Sequence, residues 1–413
     1  MDRKKLKVGF IHPKAPDTEG TGANHSASMI ITALKERGHD ITVYCTGEVK
    51  QPTEFDTREL DYDGTFPRQA DEELNRSILQ LEDEFCQYDI VHSYLMRLIP
   101  SLTLLNDINT KTIVTLNAYG GICPKNTLRY LDREECDKNG IMRCGLCTFH
   151  QGLNMTKDIG MVHRMLQVGY HPIRKIRRLR LLKQGERDIE YIDRFHALSK
   201  HVKTTYGDFG FPQSKIKVIP NILDEDFLIQ HESDFQPPYR ALYVGFLGEH
   251  KGVERLIPLV SRLREQGRDI RLTIVGGGDL KMTLEKRIEA KGLQSSIELT
   301  GHIPYNSLPK IYASHDLFVY PGIWDEPFGR VFLESLAAGT PVVATDVGAT
   351  EEIIGNGGIV VENSIESLVG GVEKMLESGN LIEYSTHGRS TVHRFKREEV
   401  GKQIEQLYFD AIG

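Results

Sequence analysis

Two glutamates flank a Pro-Phe-Gly turn in the stretch WDEPFGRVFLESLAAGTPVVAT, Trp324 to Thr345. Pro327 suits the first turn of a helix, so Glu326 is expected at or before a helix start and Glu334 about two turns inside. Phe328 and Gly329 would then present backbone N–H groups at the positive end of that helix, where anions bind. Such a cradle fits a diphosphate with one acid on either side. Spacing alone says little, because most glutamates eight apart are solvated surface. The surroundings make the signal.

A second stretch, VGFLGEHKGVERL (244–256), runs from a strand through Gly248 to Lys251 and on into a helix. Lys251 would add a full charge beside helix N–H groups and is a candidate phosphate ligand. The plain alternative is a solvated loop lysine. TIVGGGDL (273–280) repeats the pattern: a strand ends in three glycines, Gly277 at their centre, which lets a ligand approach the backbone closely. A simple tight turn would read the same way.

Four of the six cysteines crowd into GGICPKNTLRYLDREECDKNGIMRCGLC, as Cys123, Cys136, Cys144 and Cys147. A C-x2-C pair with two more cysteines nearby has the ligand count of a structural zinc site, although the spacing is not that of a standard zinc ribbon. Reduced thiols or a redox pair are the alternatives. Six cysteines in a chain of 413 residues do not make a disulfide scaffold.

These residues sit in a long alternation of strands and helices. In the first half, KVGFIHP, ITVYCT, DIVHSY, TIVTLNA, FHALS and IKVIPN read as strands, and a helix capped by Ser26 or Ser28 follows the loop around Gly20 and Gly22. LDEDFLIQHESDFQPPY has the polarity and prolines of an interdomain linker. RALYVGFL, RLTIVGGG, SIELTG, DLFVYPG, TPVVATDV and GGIVVE then form a second series, with helical patterns between them. Strands alternating with helices imply parallel sheets covered on both faces. The fold class is therefore α/β, with two Rossmann-like doubly wound domains expected at 1–225 and 226–395, facing each other across a cleft. The last stretch, 396–413, has Val400, Ile404 and Leu407 at helical spacing and is expected to dock on one of the domains.

A net charge of −7 argues against nucleic acid as a partner. The apolar run near the N-terminus is too short for a signal peptide, and no segment has the length of a membrane span, so a cytoplasmic protein is expected. HPIRKIRRLRLLKQGERD (171–188) carries Arg174, Lys175, Arg177, Arg178, Arg180, Lys183 and Arg187, with Ile173, Ile176, Leu179 and Leu182 near helical spacing. A basic amphipathic helix of this kind lies on the inner, anionic face of a membrane or packs on its own domain.

VGFLGEHKG, LTIVGGGD, VIPNILDEDF and YPGIWDEPFGRVFLESLAAGTPVVATDVGATEEII together resemble the retaining glycosyltransferases of family 4, which have the GT-B fold. The likeness covers most of the chain and is strongest from about residue 216 to 362, where Glu326 and Glu334 match the E-x7-E motif. The resemblance implies a nucleotide-sugar donor bound by the C-terminal domain and a saccharide or lipid-linked acceptor on the N-terminal side. It implies that Glu326 contacts the donor sugar, that Phe328 and Gly329 hold the diphosphate, that Glu334 bonds the ribose and that Lys251 stabilises the leaving group. The loop at Gly20 and Gly22 would approach the donor. Catalysis of this kind needs no metal cofactor.

Two positions depart from the family's pattern. Phe246 stands where an arginine is common, and Arg330, where an aliphatic residue is usual, is expected to supply the missing cation unless it faces solvent. Asn117 stands where a histidine is common at a strand end; it can still hydrogen-bond a sugar, or it caps the strand. His92 ends another strand and is expected in the core. The rival readings are a nucleotide-sugar epimerase and a non-catalytic nucleotide-sugar-binding protein. A dinucleotide oxidoreductase is disfavoured because no G-x-G-x-x-G opens the first strand–helix turn.

Overall fold

The computed structural model describes residues 4–16, 22–46, 49, 54–61, 70–105, 109–155 and 175–413. The chain divides into two compact units, one of Met1–Pro220 with Val400–Gly413 and one of Asn221–Glu399. Each unit is built on a parallel sheet.

In the first unit the strands are β1 (Lys7–His12), β2 (Asp40–Cys45), β3 (Asp56–Glu59), β4 (Ile90–Ser93), β5 (Lys111–Leu116), β8 (Arg194–Ala197) and β9 (Ile216–Val218), in the order β3-β2-β1-β4-β5-β8-β9. A short hairpin, β6 (Arg129–Tyr130) with β7 (Glu134–Glu135), stands apart from that sheet. Val8, Phe10, Val91, Ile113, Val114 and Phe195 are fully buried. Strands covered on both faces read as continuous apolar runs, which is why they are visible in the sequence. β3 is the exception: Asp-Thr-Arg-Glu at the sheet edge is mostly exposed and carries no apolar signal. The first helix is already formed at Gly22 and runs to Glu36, so Ser26 and Ser28 lie inside it rather than capping it. The Ser28 hydroxyl lies against the Asn24 carbonyl and the His12 ring.

Across this sheet runs a buried chain of polar side chains. His196 Nε2 lies 2.7 Å from the Ile219 carbonyl, which can only accept, so Nε2 carries the proton and Nδ1 accepts from Thr115. Thr115 Oγ1 then accepts from His92 Nε2 at 2.7 Å, and His92 Nδ1 accepts from the Tyr408 hydroxyl at 2.7 Å. Every ring nitrogen is satisfied with both imidazoles neutral. Burial, with His196 nearby, holds His92 well below the ordinary histidine range, and burial lowers His196 to about 4. His92 is a core residue.

Tyr408 belongs to the last helix, Arg397–Ile412, whose Val400, Ile404 and Leu407 are buried. From Val400 onward that helix is part of the first unit. Glu405 fixes it further, 2.5 Å from Arg37 Nη2 and 3.1 Å from His39 Nε2.

The second unit has β10 (Tyr239–Val244), β11 (Ile270–Val275), β12 (Ile297–Gly301), β13 (Leu317–Tyr320), β14 (Val342–Thr345) and β15 (Gly358–Val361), in the order β12-β11-β10-β13-β14-β15. The proline-bearing stretch after Asn221 is not an open linker. Phe227 is fully buried, its ring 5.5 Å from Tyr305 and 5.7 Å from Tyr312, and Leu223 N–H donates to the Phe395 carbonyl. Its apolar residues pin it to this unit despite the polar composition.

Candidate functional site

The carboxyl ends of β10, β11 and β13 bring three loops together, the edge at which doubly wound sheets bind ligands. Leu247 N–H donates to Gly277 O at 2.9 Å and Gly245 N–H to Val275 O at 3.0 Å, so the two glycine loops lie side by side. Beyond Gly248 the chain makes one 3₁₀ turn, Glu249–Lys251. A Cβ on Gly277 would meet nothing within 4 Å, which leaves its backbone open to approach.

Lys251 Nζ lies 2.5 Å from Glu326 Oε2 and 3.4 Å from the Tyr320 hydroxyl, which itself donates to Glu326 Oε2 at 2.7 Å. Burial, reinforced by the Glu326 charge, raises Tyr320 well above the ordinary phenol range, so it remains a donor. The ammonium also sits 4.9 Å from the Trp324 ring centre, a cation–π contact. Phe246, which replaces the expected arginine, is half exposed and stacks on His250, whose ring meets Trp324 edge-on. The Lys251 and Glu326 side chains remain 17% and 13% exposed, enough to be reached from solvent.

Glu326 is not in a helix. It pairs with Gly348 in an isolated parallel bridge, and its carbonyl accepts from Ala349 N–H at 2.8 Å. The helix begins only at Arg330, because Gly329 caps it in the left-handed conformation (φ 78°). Pro327 therefore precedes the helix and Glu334 stands one turn inside, which corrects the two turns expected from sequence. Phe328 is buried, its ring 5.9 Å from that of Phe395. Gly348 sets where Glu326 stands: its φ is +62°, and an added Cβ would lie 2.4 Å from the Glu326 N and O atoms. Gly348→Ala is expected to displace Glu326 and lower turnover at least tenfold with far-ultraviolet circular dichroism unchanged. Wild-type turnover in that variant would show that the bridge does not position the acid.

Glu334 is 5% exposed. Tyr305 and Tyr312 each donate to one of its oxygens at 3.2 Å, and Arg330 Nη2 stands 3.6 Å from Oε1. Arg330 also donates to Tyr305 at 2.9 Å and is only 12% exposed, so it does not face solvent. Its charge is committed to Glu334 and Tyr305. Sequence reasoning missed Tyr305, Tyr312, Tyr320 and Trp324, whose rings look like core; the available signal was the position of Tyr320 and Trp324 just at and after a strand's carboxyl end.

The remaining candidates lie in the first unit. Asn117 follows β5, and its side-chain amide donates to Tyr94 O at 3.2 Å, tying the ends of β4 and β5. Gly22 is exposed at the helix start, and Gly20 falls outside the described residues. Cys123, Cys136, Cys144 and Cys147 line one small cavity. In the basic stretch, helix 175–187 packs on its own unit: Leu179 and Leu182 are buried, and Lys175 and Arg178 reach the Pro124 and Gly120 carbonyls. Ile173 and Arg174 lie outside the described residues. No helix among the described residues is long and apolar enough to cross a membrane.

Residues 224–387 match the family described as glycosyl transferases group 1. An uncharacterised glycosyltransferase from Methanocaldococcus jannaschii is 30% identical over 217 residues, covering 48% of this chain and 55% of that protein. A phosphatidyl-myo-inositol mannosyltransferase from Mycobacterium leprae is 30% identical over 198 residues, 46% of this chain and 52% of that one. The chain thus spans about half the length of the curated relatives it matches. Among solved structures, sucrose-phosphate synthase from Thermosynechococcus elongatus aligns with a TM-score of 0.73 at 16% identity, over 98% of both chains. The Anabaena protein HepE in complex with UDP aligns with a TM-score of 0.69 at 16% identity, over 97% of this chain and 99% of that one. The fold is GT-B, with a Rossmann-like α/β domain in each unit.

Proposed function

We propose that this protein is a retaining glycosyltransferase of family 4 that moves a sugar from a nucleoside diphosphate donor to a saccharide or lipid-linked saccharide acceptor. The observation that carries this reading is the Lys251–Glu326–Tyr320 cluster at the carboxyl edge of the sheet in the segment that matches glycosyl transferases group 1. Glycosyl transfer breaks the bond between the anomeric carbon and a phosphate oxygen, so negative charge grows on the leaving diphosphate. A fixed ammonium and the amides of Phe328 and Gly329 at a helix start are suited to that charge. Glu326, held by Tyr320 and by its bridge to Gly348, accepts hydrogen bonds from donor hydroxyls. Glu334 faces the ribose, with Tyr305, Tyr312 and Arg330 fixing its orientation. Lys251 and Glu326 neutralise each other; a bound donor replaces that pair with diphosphate on one side and sugar on the other. No residue is assigned as a covalent nucleophile: the acceptor attacks on the face the leaving group vacates, and the phosphate takes its proton. The UDP in HepE supports a nucleotide donor, and the group 1 match supports sugar transfer.

A panel of nucleotide sugars tests this, with products read by mass spectrometry and anomeric configuration by proton NMR. The expected result is acceptor-dependent nucleotide release with retained configuration. Isomerised donor without an acceptor would make the protein an epimerase, and binding without turnover would make it a nucleotide-sugar-binding protein.

A further inference from the structure

Cys123, Cys136, Cys144 and Cys147 come from three places: the turn after β5, the segment after the β6–β7 hairpin, and the helix Ile141–Met155. All four line one cavity of about 20 Å³, room for roughly one water-sized sphere. Cys144 and Cys147, three apart on a helix, share a face. The cysteines are free rather than disulfide-bonded.

Cationic and N–H groups stand around the sulfurs. Cys147 Sγ accepts from Lys125 Nζ at 3.3 Å and from Leu131 N–H at 3.2 Å, and the Lys125 side chain is 1% exposed. Arg129 and Arg143 complete a cationic lining, in which Asp132 pairs with Lys125 and Asp137 with Arg143. Four thiolates around one divalent ion carry two net negative charges, which that lining offsets in part. The loop between Cys123 and Cys136 also holds Asn126, Leu128, Leu131 and Asp132 at positive φ, between 50° and 64°. Side-chain-bearing residues keep such bends where something else holds the backbone in place.

We propose that these four cysteines bind a single zinc ion that staples the loop following β5. A set of four sulfurs selects zinc or an iron–sulfur cluster, and the cavity has room for one ion. Among the described residues no three His, Cys, Asp or Glu side chains already stand as a metal-holding group, so this site requires the thiols to turn toward the cavity as the ion binds. Zinc displaces the four thiol protons, giving a tetrathiolate and releasing those protons to solvent. The role is structural: the stapled loop begins just past Asn117, at the carboxyl edge of the first unit's sheet, where doubly wound folds bind ligands.

Elemental analysis of the full chain purified without chelator tests the proposal, together with the spectrum after exchange into cobalt. One zinc per chain is expected, with thiolate-to-metal charge-transfer bands in the cobalt form. Cys144→Ser/Cys147→Ser should lose both signals, and Cys45→Ser/Cys86→Ser should keep them. If the first double variant does not fold, Cys136→Ser, at the half-exposed ligand, should give up its zinc to a chelator at least tenfold faster than wild type. Metal-free protein that takes up no cobalt, zinc retained in every cysteine variant, or iron with visible absorption would each overturn the proposal.

Discussion

Lys251→Ala is expected to lower kcat by about two to three orders of magnitude, the typical cost of removing one preorganised group that stabilises transition-state charge. The ammonium sits 2.5 Å from Glu326 and over the Trp324 ring, so it is fixed before a donor arrives and needs no reorganisation as charge develops. Much of the effect should fall on kcat, because the leaving diphosphate is more charged in the transition state than in the bound donor. Glu326→Gln gives a distinguishable result. It keeps the shape and an acceptor for the Tyr320 hydroxyl but removes the charge that pairs with Lys251. Turnover should fall at least tenfold, with nucleoside diphosphate binding retained or tightened because Lys251 is released. Kinetics with a matched donor and acceptor, beside calorimetry with the free diphosphate, separate the two outcomes. Wild-type kcat in Lys251→Ala would remove Lys251 from the mechanism.

Acid should destabilise the first unit by several kcal/mol between pH 6.5 and about 4, beyond any loss from carboxylates. His12 and His196 fall from an ordinary 6.5 to about 4 in the folded chain, chiefly through burial, and His92 is pushed well below its ordinary value. The sign follows from proton uptake. Below 6.5 the unfolded chain binds protons that the folded chain refuses, so stability present above 6.5 is lost as the pH falls. Each shift to about 4 is worth roughly 3 kcal/mol. Protonating His92 at Nδ1 would place two donors against each other at Tyr408, so the terminal helix should lose hydrogen-exchange protection early. Denaturant unfolding at pH 7 and pH 4.5, with the histidine ring signals followed by NMR, checks this. Rings of His92 and His196 that titrate near pH 6.5 while the chain remains folded would refute it.

The sheets were legible in the sequence because a strand buried on both faces must be apolar along its whole length. KVGFIHP, DLFVYPG and TPVVATDV each hold a strand within a residue or two of its observed limits. β3 stayed hidden for the converse reason: an exposed edge strand has no hydrophobic face to announce it. Lys251 and Glu326 were singled out from their glycine turns, and the fold brings them together. The helix start was misplaced because Pro327 is compatible with a first helical turn, whereas Gly329 takes a left-handed conformation that ends the preceding turn.

Local sequence determined which segments would be strands and helices, that they would alternate into two parallel sheets, and which glycine loops would lie at the sheet edges. Tertiary structure alone decided that Tyr320 joins Lys251 to Glu326, that two tyrosines and Arg330 satisfy Glu334, and that four cysteines meet at one cavity. It also decided that Tyr408 closes a hydrogen-bond chain begun at Ile219. Periodicity reports only the environment averaged along one element. Partners such as His92 and Tyr408, 316 residues apart, are set by how whole elements pack.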